Sequence, residues 1–86
     1  MMPYTARLKR SVEKELDALP AKIHVKIIKA ITSLKENPFP RNSKNLHSRE
    51  GTRIRIGNYR ILYVVDTAKR EIEVFSVADR KHVYRQ

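Results

Sequence analysis

Apolar and polar residues alternate along Thr52-Arg-Ile-Arg-Ile56, and a second apolar-rich run, Tyr59–Val65, follows after only Gly57-Asn58. A Gly-Asn loop suits a tight primed turn and fixes the register of the hairpin it closes. The pattern predicts Ile56 opposite Tyr59, Arg55 opposite Arg60, Ile54 opposite Ile61 and Arg53 opposite Leu62. Directly opposed residues share a face of the sheet. Ile54, Ile56, Tyr59, Ile61, Tyr63 and Val65 therefore line one side, and Arg53, Arg55 and Arg60 gather on the other. Opposed like charges weaken a strand pair by roughly a few tenths of a kcal/mol. An anion on that face is the economical reason to place Arg across from Arg.

The other elements follow from period and punctuation. Met2–Leu8 reads as a short first strand. Val12, Leu16 and Leu19 make one apolar stripe, predicting a helix from about Lys9 to Leu19 with Ser11 as its N-cap. Pro20 fits the start of a second helix. Ile23, Ile27, Ala30, Ile31 and Leu34 carry that helix to about Glu36, while Lys22, Lys26, Lys29 and Lys35 mostly take its opposite side. Those lysines are either solvated surface or a further phosphate or partner contact. Asn37–Lys44 holds two prolines among polar residues and is a loop. Gly51 is a candidate bulge, Asp66–Arg70 a turn, and Glu71–Val77 a last alternating strand; an irregular or one-turn helical end follows. The result is an α+β fold of order β-α-α-β-β-β. A helical hairpin packs on one face of a mainly antiparallel four-stranded sheet, and the other face is open and basic.

Composition narrows the partners. Eighty-six residues suit one domain with a small core. Nineteen Lys and Arg against nine Asp and Glu give a net charge of +10, which attracts nucleic acid, an anionic membrane or an acidic protein. No cysteine is present, which excludes disulfides and thiolate metal sites. No apolar run approaches the roughly 20 residues of a membrane span, and Met1-Met2-Pro3-Tyr4 has no signal-like character, so a cytoplasmic protein is expected. His24, His47 and His82 do not pair as metal ligands and the carboxylates are scattered; neither metal nor cofactor is expected.

The residues that carry chemistry are Arg53, Arg55 and Arg60 with Arg80 and Tyr84 from the tail. Cations converging from two strands and a tail describe a pocket for a phosphodiester rather than a diffuse basic surface. Tyr84 is either a core aromatic or a surface on which an unpaired base stacks. Asp79 either orients Arg80 or is a solvated turn carboxylate. His82, near both in sequence, is the one histidine worth testing as a proton carrier.

The tract RIRIGNYRILYVVD…EIEVFSVADRKHVYR, after a short strand and a helical pair ending in LKENP, resembles the RelE/ParE superfamily of toxins over essentially its full length. The specific parts are the YR[ILV]xY pattern at Tyr59–Tyr63 and the RKxVYR ending at Arg80–Arg85, which is similar to the RelE branch. That resemblance implies a ribosome-dependent endoribonuclease cutting mRNA in the decoding site, and a small acidic RelB-like antitoxin as partner. It carries the family's active-site roles onto Arg53, Arg55, Arg60, Arg80 and Tyr84. Characterised relatives often have lysine where this chain has Arg53 and Arg55, and a basic residue where it has Asp79. Arginine stabilises a phosphorane well but is a poor base, since its pKa exceeds about 12. The alternatives are a ParE-like inhibitor of DNA gyrase, whose relatives generally lack the Arg80/Tyr84 pair, and a non-catalytic RNA-binding module.

Overall fold

In chain order the computed structural model has β1 (Thr5–Leu8), α1 (Arg10–Asp17), α2 (Ala21–Glu36), β2 (Lys44–Asn45), β3 (Thr52–Ile56), β4 (Tyr59–Asp66) and β5 (Glu71–Asp79). It describes residues 3–47 and 49–79. One sheet holds all five strands in the order β1-β5-β4-β3-β2, antiparallel except for the parallel β1–β5 pair. The helices lie on one face, α1 against β5 and α2 against β1 and β3. Between helices and sheet sits the main core: Val12, Leu16, Ile27, Ile31 and Leu34 against Ile54, Ile61, Tyr63, Ile72, Val74 and Val77.

The α+β expectation holds, and the β3–β4 hairpin has the predicted register at every pair. Gly57 adopts φ 60, the left-handed conformation that its turn requires. Four details differ. A fifth strand, β2, was expected as loop. It is only two residues long and exists because Lys44 and Asn45 pair with Arg53 and Thr52. Lys9, not Ser11, caps α1. The Lys9 N–H donates to the Val74 carbonyl at 3.0 Å, so the β1–β5 ladder holds Lys9 extended and the helix begins after it. Tertiary pairing overrides capping preference here.

The third difference concerns the bulge. It falls not at Gly51 but in β5, where Leu62 pairs with Ser76 and Tyr63 with Val74, leaving Phe75 as the extra residue. Ser76 and Phe75 thus intervene between Val74 and Val77, which both point to the core. Fourth, the last strand runs on to Asp79 instead of giving way to an irregular segment at Ala78.

Gly51 has a separate role. Its φ is 143, and its carbonyl accepts a 3.0 Å hydrogen bond from the Leu46 N–H across the β2–β3 loop. A Cβ there would lie 2.9 Å from Leu46 Cδ1 and 3.2 Å from the Tyr63 carbonyl oxygen. Gly51→Ala is therefore expected to cost about 1–3 kcal/mol through backbone strain and crowding, lowering Tm by several degrees or more in a chain this short. Thermal denaturation with an unshifted transition would contradict this close packing.

Candidate functional site

Side chains on the helix-free face follow from the pairing. Lys44 stands opposite Arg53 and Arg55 opposite Arg60, so three adjacent strands bring four cations to one end of that face. Arg55 is exposed, whereas Arg53 and Arg60 are half-buried. Arg60 is next to Ala78 on β5, and its Nε is buried. Asn42, Lys44, Arg53 and Arg55 line an open depression of about 380 Å³. Asn42 and Lys44 were not singled out in the sequence, because nothing in a proline-rich loop signals a neighbour nine or more residues ahead.

The loop that carries Asn42 is pinned from below. Tyr63, fully buried on the core side of β4, donates its hydroxyl to the Pro38 carbonyl at 2.7 Å. The Ser43 hydroxyl donates to the Pro40 carbonyl at 2.7 Å, closing a turn that the Ser43 N–H also bonds. Burial pushes the Tyr63 hydroxyl up to about 12, with a Ser43 hydrogen bond acting in the opposite direction. Asn42 and Lys44 therefore sit on a braced loop beside the arginine strands.

The face is not uniformly basic, contrary to the reading of an open basic surface. Below the cations, Leu46 and Leu62 are buried with Phe75 and Ala78 packed on them, forming a second, smaller apolar cluster. The Arg49 guanidinium lies over the Phe75 ring, 4.1 Å from its centroid. At the far end, Asp66, Glu71 and Glu73 border a depression of about 170 Å³ together with Arg7. A polyanion is attracted to one end of this face and repelled from the other.

Of the residues singled out, Arg53, Arg55 and Arg60 are brought together. Arg80, His82 and Tyr84 lie outside the described residues. Asp79 ends β5 opposite Tyr59. His24 lies on α2 and His47 in the β2–β3 loop. Among the described residues no group of His, Asp and Glu converges as a ligand set for a metal ion, and no helix is long and apolar enough to cross a membrane.

A helix pair on a mixed five-stranded sheet, with cations massed at one end of the uncovered face, defines a small α+β domain suited to an anionic ligand. The chain belongs to the ParE toxin family: the model for the ParE toxin of the type II toxin–antitoxin system parDE matches residues 6–84. It is a RelE-like toxin of such a system. Over 98% of both chains it is 30% identical to the RelE1 candidate toxin of Methanocaldococcus jannaschii. Among solved structures it resembles the RelBE2 toxin–antitoxin complex of Mycobacterium tuberculosis, at 29% identity and TM-score 0.79 over 91% of this chain and 99% of that one. The fold also matches the archaeal RelE–RelB complex of Pyrococcus horikoshii, with TM-score 0.84 and 24% identity over 95% of this chain and all of the other.

Proposed function

We propose that the protein is an endoribonuclease that cleaves mRNA in the ribosomal A site and so stops translation. The observation that carries this reading is the convergence of Arg53, Arg55 and Arg60, with Lys44, at one end of a face whose other end is acidic. In this reaction the 2′-oxygen attacks the adjacent phosphorus, and the bond from phosphorus to the 5′-oxygen breaks. Negative charge grows on the phosphorane oxygens. Always-charged guanidiniums, whose forks match phosphate oxygens, are suited to stabilise it. Arg80 adds a further cation, and Tyr84 stacks a base or handles a proton. Arg53 and Arg55 act as electrostatic stabilisers; the 2′-proton goes to solvent, to ribosomal groups or to Tyr84, and the departing 5′-oxygen takes up a proton from solvent.

The partner in this reading is a small acidic antitoxin. Coulomb attraction to a +10 chain speeds its association. An open groove of about 360 Å³ beside α2 and β3, lined by Ala30, Ser33, Leu34, Asn37, Ile54 and Ile56 among others, offers apolar surface to hold it.

In a translation extract containing a chelator, the purified protein is expected to truncate ribosome-bound mRNA, read out by primer extension. Intact mRNA would overturn the enzyme reading. The match to the ParE family model favours a second reading, inhibition of DNA gyrase. Accumulation of gyrase cleavage complexes, with mRNA left whole, would establish that one instead.

A further inference from the structure

We propose that Arg49, backed by Phe75, is a stacking site for an unpaired RNA base, one step along the sheet from the phosphate-binding cations. The inference rests on the reading of RNA as substrate and adds a second contact to it.

Three observations converge on this pair. Phe75 is the bulged residue of β5, on the sheet face opposite the main core and in the company of Leu46 and Leu62. Bulges re-aim side chains and concentrate near functional sites. Leu62 pairs with Arg53 and lies two residues from Arg60 on the same face, so the ring's apolar bed adjoins the cations at roughly 7 Å of strand rise. Finally, the Arg49 guanidinium is 4.1 Å from the centroid of the half-buried ring, while Arg49 itself is exposed. Phe75 supports the guanidinium from beneath, and the exposure of Arg49 leaves the group accessible from the solvent side.

A planar cation held this way is what a nucleobase requires. Bases of single-stranded RNA stack on arginine planes as they do on aromatic rings, and stacking tolerates any base because each has a π-face. The same cation attracts the strand's phosphates. The next phosphate along the strand is then carried toward Arg53 and Lys44, while the Asp66–Glu73 end turns the chain away. A cap serving only to shield Phe75 would need neither the planar group nor further positive charge beside four cations.

The test uses a short single-stranded RNA carrying 2-aminopurine, at low ionic strength, with the parent protein, Arg49→Lys, Arg49→Ala and Phe75→Leu. Stacking quenches the fluorophore. The parent is expected to bind and quench. Arg49→Lys keeps the charge, so the slope of log affinity against log salt stays as in the parent; it loses the plane, so quenching falls and affinity drops about five-fold or more. Arg49→Ala loses affinity and also flattens the salt slope. Phe75→Leu preserves an apolar filler but frees the guanidinium, and quenching falls as with Arg49→Lys. Circular dichroism verifies that each variant is folded. If Arg49→Lys matches the parent in affinity and quenching, the stacking site is overturned while the RNA reading stands. If the parent itself neither binds nor quenches the RNA, the stacking site falls, while the RNA reading is decided separately by mRNA cleavage on the ribosome.

Discussion

Replacing Arg60 with alanine is expected to lower mRNA cleavage on the ribosome by about 10²–10³-fold, the loss typical when one preorganised donor to a developing oxyanion is removed. Arg60 is chosen over its neighbours for its position. It lies on the central strand β4, between Arg55 on β3 and Ala78 on β5, with its Nε buried. Arg55, exposed on β3, has more freedom and shares its depression with Arg53, Lys44 and Asn42. Arg60→Lys separates charge from shape: a lysine restores the point charge but not the two-pronged fork that matches phosphate oxygens. Cleavage by the lysine variant should fall between alanine and parent. Single-turnover cleavage of a ribosome-bound message, with folding checked by circular dichroism, measures all three. Activity of Arg60→Ala within about ten-fold of the parent would remove Arg60 from the catalytic groups.

That arginine could be singled out from sequence because the hairpin around it is defined locally. Gly57-Asn58 leaves one sensible register, and the alternation then decides which side every residue takes. The α2 stripe was equally legible, since Ile27, Ile31 and Leu34 mark a buried face by spacing alone. What escaped were features created by distant partners. Lys44 and Asn45 have no strand periodicity; they become a strand by pairing with Arg53 and Thr52. Phe75 alternates in sequence with Glu73 and Val77, and only the β5 bulge against β4 sends it to the face opposite Val77. Arg49, in a polar loop, carries no sign that an aromatic ring lies beneath it. The Ser11 cap failed for the same reason, because a sheet hydrogen bond from Lys9 decided where α1 begins. The arginine end of the site was thus readable from the chain, while the surface that surrounds it depended on tertiary pairing.

Tyr63 shows how far the braced loop depends on one hydroxyl, and pH gives a way to measure it. Its O–H group is buried and donates to the Pro38 carbonyl across 25 residues of sequence. Tyr63→Phe should cost about 1–3 kcal/mol near neutral pH, because Pro38 is itself buried and its carbonyl loses that bond. The parent's advantage should not persist in alkali. Desolvation raises the folded-state pKa from the ordinary 10.0 to about 12, so the unfolded chain gives up this proton first. The contribution is fully present below about pH 10 and is lost as pH rises through about 12; two units correspond to roughly 2–3 kcal/mol. Urea denaturation of parent and Tyr63→Phe across that range cancels the other titrating groups in the difference. The two stability curves are expected to lie apart near neutrality and to converge, or cross, between about pH 10 and about pH 12. Curves that stay parallel through that window would show that the hydroxyl ionises as freely in the folded chain as in the unfolded one, and that it does not hold the loop carrying Asn42 against the arginine strands.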